Sequence, residues 1–418
     1  AGFDEVIVAP DSARLPAATA HFDKIIDLIG PLSVKLSIAS LVATPETYYT
    51  AYGIFKSLQL KATDRVLIRA ATSGVGIADL NLIKAYNPKI HVAGTTRRLV
   101  KRQQLIDAGF DETLPKPNVK PGWTRVKVLG FGINHSEIFT REGKSPSVQF
   151  PRVLGIEVVG VVDETSAPAT FTSGQRVVSI MGEMGRAYDG SYAEYVLLPN
   201  EQVYPIKTNL SIASLVATPE TYYTAYGIFK SLQLKATDRV LIRAATSGVG
   251  IADLNLIKAY NPKIHVAGTT RRLVKRQQLI DAGFDEVIVA PDSARLPAAT
   301  AHFDKIIDLI GPLSVKDSLS HLNEGGIVNM TGELGGLWTV PDFDPISDIP
   351  NGCYLTGFSS GDVSQTLLQD LFDFIAAYHV SVAPARIFNF NQVPAAHAYL
   401  QAADSFGKAI VLLDQNAE

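Results

Sequence analysis

Seven residues between an apolar run and a helical stretch carry the sharpest chemical signal in this 418-residue chain, Ala244-Ala245-Thr246-Ser247-Gly248-Val249-Gly250. Glycines at such a turn let the backbone pass close to a pyrophosphate, and the helix start offers free N–H groups and positive partial charge to it. Ser247 and Ala245 stand where two further glycines are usual, so the motif alone is equally compatible with a plain strand–helix turn. Its position after the first strand of an α/β unit favours a dinucleotide. About 20 residues on, at the end of the second strand, NAD-binding domains place Asp or Glu against the ribose hydroxyls. Here the sequence reads Thr269-Thr270-Arg271-Arg272, followed by Lys275 and Arg276. With no carboxylate and two guanidiniums able to form bidentate bonds to a 2′-phosphate, NADP(H) is expected over NAD(H). The competing reading is a solvated basic helix start, but cations at a helix N-terminus oppose its dipole, which points to an anionic ligand.

Positioning these residues requires a parallel sheet. From Leu210 onward, short apolar runs alternate with helical stretches. Ser211–Phe229, Gly250–Tyr260 and Arg272–Ala282 read as helices. Arg239–Ala244, Lys263–Gly268, Val287–Ala290, Lys305–Ile310, Gly326–Thr331 and Tyr354–Gly357 read as strands. Non-alternating strands separated by helices of ~10–15 residues indicate a sheet covered on both faces. The expectation is a doubly wound α/β domain over Asn209–His379. Thr113–Thr208 is rich in Gly, Pro and Val, with short strands at Arg125–Val128, Val158–Val162, Arg176–Ile180 and Ala193–Val196, so a small antiparallel β-barrel is expected. Arg386–Asn389 and Lys408–Leu413, around a helix at Pro394–Ala402, return to complete it within residues 380–418.

Residues 1–112 repeat later sequence letter for letter with their halves exchanged: Ala1–Lys35 equals Ala282–Lys316, and Leu36–Glu112 equals Leu210–Glu286. Duplications drift, so an undrifted copy of 112 residues suggests an artificial origin and adds no independent functional information. It is expected to form an extra partial α/β lobe, with a swap of strands between copies as the alternative. Its own glycine turn, Ala70–Gly76, and Arg97 and Arg98 could hold the adenosine end of a second nucleotide. It has no counterpart of Gly326–Phe358, so it cannot build a complete site. The start at Ala1 repeats the middle of a helix-to-strand connection and is not expected to be natural.

Subtracting those 112 residues from 418 leaves 306, enough for two domains. A net charge of −3 and a pI near 6.3 give no pull toward nucleic acid or anionic membranes. The single cysteine, Cys353, excludes an internal disulfide and a cysteine-based zinc site, and fits a reducing, cytoplasmic setting. Neither a membrane-spanning apolar run nor a signal pattern is present.

Three further segments carry a family resemblance. Gly130-Phe131-Gly132-Ile133-Asn134-His135-Ser136-Glu137, Pro151-Arg152-Val153-Leu154-Gly155-Ile156-Glu157 and Asp189-Gly190-Ser191-Tyr192-Ala193-Glu194-Tyr195 resemble the GroES-like domain of medium-chain dehydrogenases/reductases. The glycine turn and Gly407-Lys408-Ala409-Ile410-Val411 match the same superfamily, and the chain is most similar to its zinc-independent quinone oxidoreductase branch. Zinc alcohol dehydrogenases carry Cys where Asn134 stands and His where Ile156 stands, and the four-cysteine lobe is missing too. No metal is therefore expected. The resemblance implies NADPH-dependent reduction of quinones or α,β-unsaturated carbonyls, with Asn134 and, less directly, Tyr192 orienting substrate. It implies cofactor contacts from Thr224, Ser247, Gly248, Val249, Gly250, Thr270, Arg271, Arg272, Lys275, Gly332, Phe358 and Lys408. Phe139 replaces a family Tyr, so a mechanism using that hydroxyl is not expected. Relatives also begin with a strand hairpin that the copied block displaces. A homodimer through the last α/β strand is the family habit. The rival readings are a catalytically silent NADPH-binding or scaffold protein, for which the near-neutral charge argues against an RNA surface, and an artificial duplicated chain.

Overall fold

The computed structural model describes residues 38–68, 71, 73–94, 112–113, 116–145, 147–150 and 152–414. They fall into two units, Ala1–Pro115 and Lys116–Glu418. The copied segment Ala1–Lys35, and with it any strand it supplies, lies outside the described residues, as do Arg97 and Arg98.

The first unit contains α1 (Ile38–Leu58), β1 (Arg65–Ile68), α2 (Gly74–Tyr86), β2 (His91–Gly94) and the short β3 (Glu112–Thr113). Its strands form a parallel sheet in the order β1-β2-β3. Ile68, Leu80, Ile83, Ile90 and Val92 make a small core beside it. Ser73 caps α2, its Oγ accepting from Gly76 N at 3.0 Å.

In the second unit the barrel segment supplies β4 (Trp123–Gly132), α3 (His135–Arg141), β5 (Glu157–Thr165), β6 (Arg176–Ile180), β7 (Tyr195–Pro199) and β8 (Tyr204–Pro205). The α/β segment follows with α4 (Ile212–Val216), α5 (Pro219–Leu232), β9 (Arg239–Arg243), α6 (Gly248–Tyr260), β10 (His265–Thr270), α7 (Arg276–Ala282), β11 (Glu286–Val289) and β12 (Phe303–Asp308). It continues through α8 (Val315–Ser320), β13 (Leu322–Met330), α9 (Pro345–Asp348), β14 (Tyr354–Thr356) and α10 (Gln365–Ala377). The tail adds β15 (Arg386–Asn389), α11 (Val393–Gln401) and β16 (Ala409–Leu412).

Six parallel strands run in the order β11-β10-β9-β12-β13-β14, so the order reverses between β9 and β12. In doubly wound sheets, ligands bind in the crevice at that reversal, outside the carboxyl ends of the strands. All six strands come from residues after 238, so no copied strand replaces any of them. The barrel sheet runs β15-β16-β4-β5-β6-β8, with β7 also on β4, and the tail enters it by pairing β16 antiparallel to β4.

The structure corrects several expected boundaries. Ser211–Phe229 is two helices, α4 ending at Val216 and α5 starting with Pro219 at a first-turn position, where its missing N–H costs nothing. β13 begins at Leu322, four residues before the glycine pair's end at Gly326. The strand expected at Ala193–Val196 starts at Tyr195. The short α3 and the amphipathic α10 were not anticipated. α10 buries Leu368, Leu371, Phe372 and Ile375 in the core shared with α5.

Candidate functional site

The crevice at the strand reversal is shaped by the glycine turn. Ala244 leaves β9 in the left-handed region (φ 57°), its N–H donating to Thr269 Oγ1 at 3.1 Å. Ser247 caps α6 by accepting from Gly250 N at 3.1 Å. Gly250 is required by packing, since a Cβ there would lie 2.9 Å from Ala245 Cα. Gly248 and Val249 begin the helix, where N–H groups have no carbonyl a turn behind them. A cavity of about 350 Å³ runs along this turn. Arg271, Arg272, Lys275, Thr246, Ser247, His135 and Phe139 are among the residues that line it.

Arg271 and Arg272 are exposed and have no ion-pair partner among the described residues. Thr270 Oγ1 accepts from Arg272 N at 3.3 Å and fixes the backbone that carries them. Lys275 differs from its neighbours: it is buried, and its ammonium donates to Ser405 O at 2.5 Å. Burial, with Arg272 and Arg271 nearby, holds its pKa below the usual value. It ties the basic strand end to the tail as well as lining the cavity.

Lys408, which the resemblance makes a cofactor contact, enters a buried charge network. Its stem does pass the glycine turn, where a Cβ on Gly248 would sit 3.7 Å from Lys408 Cα. Its ammonium, however, is buried and donates to Glu157 Oε1 and Asn134 Oδ1, each at 2.6 Å. Asn134 in turn donates from Nδ2 to Glu157 Oε1 at 2.9 Å and from its backbone N–H to Glu137 Oε2 at 3.0 Å. Its side chain is engaged in this network at the start of α3. Glu157 Oε2 accepts from Glu220 N at 3.0 Å, joining β5 of the barrel to the first turn of α5. Thr224, one turn further, donates to Glu220 Oε1 at 3.1 Å.

Buried Glu137 and Glu157 and half-buried Glu220 thus lie in the field of one ammonium, which bonds Glu157 directly. Burial and the charge of Glu157 push the Glu137 carboxyl up to about 7, and burial also raises Glu220. His135, next to Asn134, has its pKa lowered by burial and by Lys408, so this cavity-lining imidazole is neutral at pH 7. Sequence reasoning missed Glu137 and Glu220. The one visible hint was Glu157, a charge set inside the apolar run Gly155–Val162.

Tyr192 sits away from the cavity. Its ring stacks on Phe131 at 4.5 Å and its hydroxyl meets His397 Nε2 at 3.0 Å inside the barrel core. Gly332 is pressed against Leu309, where any Cβ would collide with backbone. The Phe358 ring packs over Gly227 and Tyr223, and its N–H donates to Thr331 Oγ1 at 3.0 Å. Among the described residues no group of three or more His, Cys, Asp or Glu could hold a metal ion.

Two family matches divide the second unit. Residues 120–208 match the alcohol dehydrogenase GroES-like domain and residues 282–411 the zinc-binding dehydrogenase domain. The chain belongs to the medium-chain dehydrogenase/reductase superfamily. Among curated members, it is 28% identical over 232 residues to a zinc-type alcohol dehydrogenase-like protein of Schizosaccharomyces pombe, covering 55% of this chain and 67% of that one. It is also 28% identical over 255 residues to the quinone oxidoreductase of Homo sapiens, covering 58% and 75%. Among solved structures of the superfamily, the yhdH oxidoreductase of Salmonella enterica in complex with NADP superposes with a TM-score of 0.63 at 19% identity, over 72% of this chain and 94% of that one. That likeness speaks to the fold alone.

Proposed function

We propose that the second unit is an NADPH-dependent oxidoreductase that reduces quinones or α,β-unsaturated carbonyls by hydride transfer without zinc. The observation that carries this reading is the pair Arg271 and Arg272, unpaired by any described acid in the lining of a cavity that also takes in Ser247 at a helix N-terminus, His135 and Phe139. The residues present fit a phosphorylated dinucleotide. The glycine turn would admit its diphosphate, the two guanidiniums its 2′-phosphate, and the backbone around Gly332 and Phe358 its nicotinamide end. When bound, that group supplies the hydride. The protein's own contribution around His135 and Phe139 is a neutral, largely apolar surface with few competing charges. The neighbouring Glu137 carboxyl is pushed up to about 7, so the site carries proton capacity near neutral pH. Solved neighbours with NADP or NADPH bound, and quinone oxidoreductases among the curated relatives, support the same reading. It extends to a homodimer through β14, the open edge of the α/β sheet.

Stopped-flow loss of NADPH absorbance against panels of quinones and enones tests the proposal. Turnover with either class supports it, and binding of NADPH with no oxidation by any acceptor favours a silent binding protein instead.

A further inference from the structure

Part of the cavity lining brings barrel rings together with apolar residues of the α/β segment. His135 and Phe139 lie one turn apart on α3, with ring centroids 6.4 Å apart, and both line the cavity. From the α/β side, the irregular segment 331–344 between β13 and α9 brings Leu334 to the lining and sets Trp338 edge-on to Phe139, at 5.5 Å and 84°. Trp338 remains 51% exposed, so part of its indole is uncovered next to Phe139, which lines the cavity. Ile310, at the end of the β12 connection, adds an aliphatic surface to the same lining.

Charge is scarce there. His135 is neutral, and Lys144, whose ammonium lies 5.5 Å above the Phe139 ring, is paired with Glu142 at 2.8 Å. Arg186 donates to Ser136 Oγ at 2.7 Å, with Glu333 in its field. A carboxylate-bearing acceptor would have to enter a mouth whose nearby cations are already engaged. A flat, uncharged, electron-poor ring system meets two aromatic surfaces and an aliphatic floor. Offset and edge-on ring contacts of this kind add affinity beyond the area they bury.

We propose that Trp338 and Phe139 form an aromatic clamp that selects fused-ring quinones over small aliphatic enones. This rests on the reductase reading above and narrows its acceptor class. The contribution of Trp338 is one of selection: its half-exposed ring can be changed without opening the core.

The test uses the full chain with NADPH and two acceptors, 1,4-naphthoquinone and 3-buten-2-one, in wild type, Trp338→Ala, Trp338→Phe and Phe139→Leu. Trp338→Ala is expected to raise KM for the naphthoquinone about tenfold more than for the butenone, with kcat changed less than KM, and Trp338→Phe to restore most of the difference. A second readout needs no turnover. The chain has two tryptophans, so Trp123→Phe leaves Trp338 as the sole indole. Its emission should be quenched by the naphthoquinone in a saturable way that is absent in a Trp338→Phe chain retaining Trp123. Equal KM changes for both acceptors, or quenching that never saturates, overturns the clamp while leaving the reductase reading intact. Saturable quenching with no turnover of either acceptor would overturn the reductase reading and leave the clamp as a binding site.

Discussion

Lys408 and Glu157 form an ion pair at 2.6 Å with side-chain exposures of 6% and 1%, and Gly132 exists to make room for it. A Cβ on Gly132 would run into the Glu157 carboxylate and the end of the Lys408 side chain. Removing one partner of such a pair strands a buried charge, which costs far more than the pair is worth. Lys408→Met is therefore expected to destabilise the second unit by about 3–5 kcal/mol, and adding Glu157→Gln should recover much of that loss. Urea unfolding of the two single variants and the double variant measures it. Additive losses would mean the pair is not coupled.

Glu137 gives the network a pH signature. Its folded-state pKa is raised from 4.5 to about 7, so the protonated acid favours the fold. The stability this site contributes is complete below about pH 4.5 and is lost as pH rises through 7, a change of roughly 3–4 kcal/mol. Glu137→Gln imitates the neutral acid and keeps one acceptor for the α3 N-terminus. Thermal midpoints of wild type and variant, scanned from pH 4.5 to 8, should diverge with increasing pH, the variant becoming relatively more stable. Parallel curves would refute the assignment.

Asp253 is fully buried on α6 with neither carboxyl oxygen hydrogen-bonded, and burial raises it well above its ordinary 3.8. Asp79, at the same place in the sequence copy, shows the same direction of shift from the same cause. A raised carboxyl opposes folding increasingly as pH climbs from about 4. Asp253→Ala should accordingly stabilise the chain at pH 7 by about 1–3 kcal/mol, with little gain at pH 4. Calorimetry at the two values checks it, and destabilisation at pH 7 would point to an unseen partner.

Arg271 and Arg272 carry the cofactor assignment. Replacing both with Glu should weaken NADPH binding roughly 100-fold or more, since each charge-assisted contact contributes a few kcal/mol at most. NADH affinity should move only a few-fold. Isothermal titration with each nucleotide gives the ratio, and an unchanged preference for NADPH removes the basis of the assignment.

The sheet was legible because burial on both faces leaves unbroken apolar runs. Arg176–Ile180 and Arg386–Asn389 have the bounds that their short runs of Val, Ile and Phe led one to expect. The glycine turn and the arginine pair were legible because they act locally, within one strand–helix unit. The charge network was not. Asn134, Glu137, Glu157, Glu220 and Lys408 span 275 positions, and nothing in a lone Glu or Lys reveals that folding will bury it. The surroundings of Tyr192 were hidden for a related reason: its motif marks the loop, whereas the partners of its ring, Phe131 and His397, come from distant strands and helices.

One 21-residue sequence occurs twice in this chain and takes two shapes. As Ile38–Leu58 it is a single uninterrupted helix, with Tyr49 81% and Tyr52 49% exposed. As Ile212–Leu232 it breaks before Pro219, and the equivalent Tyr223 and Tyr226 are 0% and 5% exposed. The polypeptide is thus its own isogenic comparison. A label or exchange probe placed on both tyrosine pairs would report, in one sample and at one concentration, how far neighbours rather than letters decide where a helix stops.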